Sequence, residues 1–398
     1  MNAMDTGQKI FKKNVRTLTV TNPDNFMGVP VLKIGGHERL NINFDVIGDD
    51  NDYLRFRLLH CNADWQPSRL MESEYLGGFN EGIVEDYAFS SNTYVHYVNY
   101  NISLPDPSIP ILRSGNYLIQ IYPENDPDDI WLQARFSVTE EISYIEGGVT
   151  TRTDRGVNSE YQQLFLHLDF PELNKINPFQ DIILTVTQNN RPETLRFIQH
   201  PMRVQGSTII YEHTPELIFE AANEFRRFET VRADYPGMHV DSVRFVNGMW
   251  NAWLQTDESR RHRQYTYDST QNGRFKIDEY NSTDPDLSAD YILVHFTLDP
   301  ESRVNGTIFV DGDLTNHVLD EESLMKYDWN DGLYHASIPL KQGSFNYQYT
   351  VVPEGEILPN PGPIEGNKYE TVNEYLVMAY LRTPGSRGDR LIGYRQFR

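Results

Sequence analysis

Few side chains in this chain are grouped as chemistry requires, and each grouping can be tested against the spacing that its reaction or ligand needs. His60-Cys61 is the first candidate. It ends the run Leu54-Arg55-Phe56-Arg57-Leu58-Leu59, which alternates like a strand. Neighbouring strand residues point to opposite faces, so one metal ion would not take both side chains. Cys61 is the only cysteine, which excludes a Cys-x-x-Cys metal site and an intramolecular disulfide. The expectation is a packed Cys61 beside a hydrogen-bonded His60. His37-Glu38 lacks the second histidine of a zinc-protease helix. The acidic stretches at 49–52 and 124–129 lack the twelve-residue spacing of a calcium loop and read as turns. There is no Gly-x-Ser-x-Gly elbow and no glycine-rich phosphate loop. Asp and Glu total 57, too many to single out a glycosidase pair. The sequence thus predicts no enzyme, no catalytic residue, no metal and no cofactor.

Candidates for binding are better defined. Arg260-Arg261-His262-Arg263-Gln264-Tyr265-Thr266-Tyr267 is the densest basic and aromatic stretch, with Arg261 and Arg263 as its candidate contacts. It lies beside Asp257 and Glu258, so an intramolecular ion-pair face competes with a partner surface. Arg226 and Arg227, between Phe225 and Phe228, read the same way. His60, Asp64, Trp65, Tyr75 and Phe79 form a second candidate recognition group, against which stands the tendency of sandwich aromatics to be core. Trp250, Trp253 and Trp329 carry the same ambiguity. Arg387-Gly388-Asp389 matches an adhesion tripeptide, but its glycine-rich surroundings read first as a turn. The net charge of −22 repels phosphate backbones and anionic lipid, which excludes nucleic acid as a partner and leaves basic protein surfaces, cations and neutral glycans.

These residues are positioned by strands. Twenty-four Tyr and 22 Pro lean toward strands and turns, and 398 residues suit two or three domains. Ile42, Phe44 and Val46 alternate with polar residues, as do Leu54, Phe56 and Leu58 with Arg55 and Arg57. Strands are expected at 117–122, 131–138, 182–187, 292–298, 306–312, 333–340, 344–350 and 374–380. Leu164, Leu166, Leu168 and Phe170 mark another. The longest loop signal spans 353–366. A helix is expected between Pro215 and Pro236, where Ile218, Ala221, Ala222, Phe225 and Phe228 fall near a 3.6 period; strand–turn–strand is the competing reading. The predicted fold class is mainly β, in tandem immunoglobulin-like or E-set β-sandwich domains with little helix. The expected divisions are an immunoglobulin-like sandwich at 1–139, a β-rich middle domain at 140–285 and a third β-sandwich at 286–398, which resembles E-set, carbohydrate-binding-like sandwiches. No apolar run reaches the ~20 residues of a membrane span.

Several ordered strings carry a family resemblance. They are His60-Cys61-Asn62-Ala63-Asp64-Trp65, Glu74-Tyr75-Leu76-Gly77-Gly78-Phe79, Ser91-Asn92-Thr93 and Ser114-Gly115-Asn116-Tyr117. Further along come Ala222-Asn223-Glu224-Phe225-Arg226-Arg227-Phe228, Ala289-Asp290-Tyr291, the run from Gly366 to Tyr375, and Asp389-Arg390-Leu391-Ile392-Gly393. Together they resemble the plug protein family of the type IX secretion system of Bacteroidetes, over about residues 15–397. The resemblance implies a non-catalytic, exported protein. It would reside in the periplasm at the outer membrane and occlude the periplasmic opening of the secretion barrel, with that barrel and its associated components as partners. It also implies that a signal peptide absent from this chain has been removed and that residues 1–3 are a cloning remnant. The third domain resembles glycogen-binding-type E-set sandwiches, which gives the alternative reading of a carbohydrate-binding protein.

Overall fold

A computed structural model describes residues 5–398; residues 1–3 lie outside the described residues. Strands hold 45% of the chain and helix only 6%, so the architecture is carried by packed sheets. The first sandwich pairs two sheets. One runs Lys9–Ile10, Leu132–Thr139, Gly115–Pro123, Leu54–Cys61 and Gly82–Ile83, with Val31–Lys33 added in parallel to Leu132–Thr139. The other runs Val15–Thr21, Leu40–Ile47, Tyr97–Leu104 and Asp86–Phe89. The alternation seen in sequence sets the packing: Ile42, Phe44, Leu54, Phe56 and Leu58 are buried between the sheets, while Arg55 and Arg57 stay half-exposed on the outer face.

The second core lies between Tyr144–Thr150, Tyr161–Asp169, Thr208–Tyr211 and Arg203–Gln205 on one side, and Arg196–Ile198, Ile182–Gln188, Tyr375–Leu381 and Arg390–Phe397 on the other. The third lies between a six-stranded sheet built around Met249–Leu254, Tyr291–Asp299 and Tyr334–Lys341, and a smaller sheet centred on Gly343–Pro353.

Packing departs from the expected divisions at one place in particular. Phe228, Val240, Leu254 and Phe275 share the third core with Ile292 and Phe296, so the boundary expected at 285/286 runs through a single core. The last two strands return to the second core, where Tyr375, Val377, Ala379 and Ile392 pack with Leu164 and Leu184. The third core is therefore inserted, in chain order, within the second. Strand pairing explains why a linear reading misses this: Ile182–Gln188 finds its partner Tyr375–Leu381 almost two hundred residues away.

The helix expected between Pro215 and Pro236 is absent. That segment forms a 3-10 turn at Pro215–Leu217 and strands at Ile218–Glu220 and Arg226–Glu229. Phe219 enters the second core and Phe228 the third, so its apolar residues serve two cores rather than one helical face. Ala222 between them adopts φ of 51°, outside the right-handed helical region.

Candidate functional site

The His60-to-Trp65 string ends the strand Leu54–Cys61 and folds into a tight turn. The Trp65 N–H donates to the Asn62 carbonyl at 2.9 Å, and Asp64 Oδ1 accepts the Gln66 N–H at 3.0 Å. Trp65 takes φ of 63°. The turn leaves the Ala63 N–H facing outward, where Asp389 Oδ2 accepts it at 2.9 Å. In return, the Asp389 N–H donates to Asn62 Oδ1 at 3.1 Å, and the Arg69 N–H to the Arg387 carbonyl at 2.8 Å. The Arg387-Gly388-Asp389 tripeptide is thus the counterpart of this turn, and Asp389 is buried, with both carboxylate oxygens also accepting from Arg382 at 2.7 Å.

His60 fills the space beneath this joint. Its Nε2 lies 3.0 Å from the Ser114 carbonyl, and its ring packs against Tyr117 at 5.2 Å and Tyr75 at 5.7 Å. Burial pushes the His60 imidazole below its ordinary pKa and the Cys61 thiol up to about 12. Gly115 has φ of 147°, and a Cβ there would lie 2.3 Å from His60 Nε2. Only glycine lets the chain pass so close. Tyr75 is buried and donates to the Leu58 carbonyl at 3.3 Å. Beside the joint, Val31 and Ala63 of the first sandwich share a small apolar cluster with Ile183, Met378, Tyr380 and Leu391 of the second unit. The clasp between the two units is made by Asn62, Ala63 and Arg69 with Arg387 and Asp389, while His60, Asp64 and Tyr75 bond within the first unit and brace the turn from beneath. Trp65 stacks beneath Arg135, whose guanidinium lies 4.4 Å from the ring centre.

The basic candidates separate by burial. Arg226 is buried, bonding Asp257 at 2.7 Å and Glu365 at 3.0 Å, with its Nη2 also donating to the Glu258 carbonyl at 2.8 Å. Tyr347 and Tyr349 both donate to Asp257 Oδ2 at 2.7 Å, and Arg260 donates to Glu365 at 2.7 Å. Burial opposes the charge on Asp257 and on Glu365, but Arg226 together with His239 and Tyr347 at Asp257, and with Arg260 and the Tyr349 N–H at Glu365, overcomes it and holds each carboxyl below the usual range. Arg227 is half-buried and pairs with Asp268 at 2.7 Å. Arg263 is exposed and pairs with Glu258; Arg261 is exposed, and its carbonyl accepts Lys368 Nζ at 3.1 Å. Arg226 thus pins the short helix Gly362–Glu365 to the sheets of the third core.

Two further buried groupings escaped the sequence. Lys341 and Asp45, both almost fully buried, meet at 2.7 Å across the contact between the first and third units. Tyr291 donates to the same Asp45 oxygen at 2.6 Å, and the Lys341 ammonium sits 4.1 Å from the Tyr97 ring centre. His317 bridges Asp311 at 2.8 Å and Asp313 at 3.0 Å. Burial opposes the His317 charge, yet Asp311 and then Asp313 overcome it and raise its pKa to about 10. Asp45 and Lys341 lie on opposite sides of the sequence, in strand patterns whose polar positions look solvent-facing.

Phe79 stands apart from the other candidates. It is 90% exposed. Its loop is nevertheless fixed: Asn80 Oδ1 accepts the Leu58 N–H at 2.8 Å, and Asn80 Nδ2 donates to the Leu58 carbonyl at 2.8 Å and to Glu72 at 3.0 Å. The Gly77 N–H donates to the Pro110 carbonyl at 2.8 Å. Met71, Ile83 and Leu112, on flanking segments, are also exposed. In the third unit, by contrast, Trp253 has His295 stacked on it at 4.6 Å and Arg244 at 5.6 Å, and Arg303 lies 4.9 Å from the exposed Trp329 ring. Among the described residues no group of three or more His, Cys, Asp or Glu is placed to hold a metal ion, and no helix is long and apolar enough to cross a membrane.

Comparison with known proteins bears on the family. Residues 15–140 match the model of the type 9 secretion system plug protein 1st domain. The whole chain superimposes on the crystal structure of a hypothetical protein from Parabacteroides merdae ATCC 43184, with a TM-score of 0.96 and 38% identity over 99% of each chain. Collagen adhesin from S. aureus aligns at a TM-score of 0.12 and 9% identity, which carries no argument. No curated protein matches the chain.

Proposed function

Because this chain belongs to the type 9 secretion system plug protein family, we propose that it acts without catalysis, as a stiff body that occludes the periplasmic opening of the outer-membrane secretion barrel. The observation that carries this reading is the way the three units are locked. Asp389 joins the first to the second, and Lys341–Asp45 joins the first to the third. Arg274–Glu374, at 2.8 Å, ties the third-core sheets to the returning strands of the second. A stopper must resist deformation by what it blocks, and interlocked sheets with buried joints supply that stiffness. Opening would then require another factor that binds the released form better.

Phe79 is the proposed contact with the barrel. A large aromatic held in the open by a fixed loop loses little conformational entropy on docking, and such anchors carry much of an interface's energy. The proposed location is the periplasm, at the outer membrane. The test is affinity purification of the tagged protein from detergent-solubilised outer membranes of the source bacterium, comparing the native chain with Phe79→Asp. The native chain should recover the secretion barrel, and the variant should recover much less while melting at the same temperature. Absence of the barrel from both would remove the proposal. Equal recovery with both would relocate the contact.

A further inference from the structure

Where the three units meet, a cavity of about 510 Å³ opens between them. Its apolar walls come from all three: Leu18 and Phe136 from the first, Leu376 and Met378 from the second, Phe275 and Leu319 from the third. Apolar cavities of this size at domain junctions, with a few polar groups aimed inward, suit small ligands.

The polar group that defines the ligand is Arg135. It lies on the strand Leu132–Thr139 and lines the cavity. Its Nε donates to the Thr6 carbonyl at 2.5 Å, its Nη2 lies 3.5 Å from Thr6 Oγ1, and one face rests on Trp65. Among the described residues no carboxylate pairs with it, and residues 1–4 contain no acid. The other charges at the cavity are engaged. Asp5 meets Lys9 at 3.6 Å and its own Gly7 N–H at 3.0 Å. Arg274 is neutralised by Glu374, and Asp313 by His317. Burial lowers the Arg135 pKa to about 10, the mark of a guanidinium taken out of water with too little negative charge beside it.

We propose that this cavity binds a compact apolar carboxylate, with Arg135 as the counter-charge. The planar guanidinium, steadied by the Trp65 ring, offers to an anion its Nη1 edge, which bonds nothing among the described residues, and charge-assisted bonds of this kind are the strong ones. The apolar body of the ligand lies against walls from three units. Binding therefore favours the assembled form by mass action. The inference is independent of the barrel contact at Phe79.

Calorimetry and thermal melting on the full chain test it. Octanoate and N-acetyl leucyl-phenylalanine stand for the two sources of such a group, an acyl chain and a peptide C-terminus; octanol and the peptide amide are their neutral matches. At least one carboxylate should bind saturably and raise the melting temperature, with its neutral match weaker by about tenfold or more, and whichever binds identifies the source. Arg135→Gln should weaken binding by a similar factor. Thr187→Trp, which fills the cavity from the strand Ile182–Gln188 and keeps the arginine, should abolish it. The proposal is overturned if neither carboxylate binds, if the neutral match binds as well, or if either folded variant binds like the native chain.

Discussion

Replacing Lys341 by Met tests whether the units form one body. Lys341 and Asp45 are 1% and 0% exposed, so neither charge can be rehydrated without opening the contact. Asp45 also accepts Tyr291 at 2.6 Å and Asn99 at 2.8 Å. In Lys341→Met the carboxylate keeps those bonds but loses its counter-charge. Stranding a buried charge in this way costs about 3–5 kcal/mol. Adding Asp45→Asn removes the stranded charge, so the double variant should recover roughly half of the loss or more.

The shift in melting temperature then reports the size of the cooperative unit. Unfolding entropy is roughly 2.1 cal/mol/K per residue, so the 398-residue chain melting as one unit gives about 0.8 kcal/mol/K. A loss of about 4 kcal/mol then lowers the melting temperature by about 5 °C. If the third unit melts alone, with about 0.3 kcal/mol/K, the same loss lowers its transition by about 13 °C and splits the calorimetric peak. A single peak shifted by about 5 °C supports the interlocked body. A split peak refutes it, and an unchanged melting temperature refutes the assignment of Lys341 to a buried joint.

Other outcomes follow from the same contacts. Asp389→Ala strands the Ala63 N–H and frees Arg382, which should cost about 1–3 kcal/mol and speed limited proteolysis near 382–389; an unchanged cleavage rate counts against the clasp. Gly115→Ala forces a Cβ against the His60 ring at a φ of 147° and should destabilise by about 1–3 kcal/mol, read by urea denaturation. His317 has its pKa raised from 6.5 to about 10, so its contribution is fully present below about pH 6.5 and lost as pH rises through about 10. Asp311 is held below its ordinary 3.8, so its share is present above that value and lost as pH falls further. The stability gap between the native chain and His317→Gln should therefore be level from about pH 4 to 6.5 and close toward pH 10; a gap unchanged at pH 10.5 refutes the pairing. Cys61, buried with its thiol pushed to about 12, should resist a thiol reagent at pH 8 until the chain unfolds.

The parts of the fold legible in sequence are those set by local periodicity. Leu54, Phe56 and Leu58 alternate with arginines because one face meets the core, and that pattern survives in any sandwich. Pairing across long chain separations has no such signature. Tyr375–Leu381 reads as a good strand, but nothing in its composition says that it completes the core begun at Ile182 rather than the one it follows. The segment at 215–229 misled for a related reason: apolar residues destined for two cores can mimic one helical stripe.

The candidate site shows a different limit. The string from His60 to Trp65 combines types common at recognition surfaces, yet Asn62, Ala63 and Asp64 bond Asp389 and the local turn, His60 Nε2 meets the Ser114 carbonyl, and Trp65 stacks on Arg135. Residue type alone cannot separate a group that meets another part of the same chain from one that meets a partner, because the hydrogen-bond chemistry is the same. Accounting for partners does separate them. Arg226, Tyr75 and His60 have theirs within the chain, whereas Phe79 has its apolar surface in water and a loop fixed around it. Exposure of a large aromatic on a fixed scaffold costs solvation without an internal return, so the return is to be sought in an external surface. Arg135 follows the same logic in the interior: a guanidinium bonded, among the described residues, only to neutral groups is where the proposed anion from outside the chain would sit.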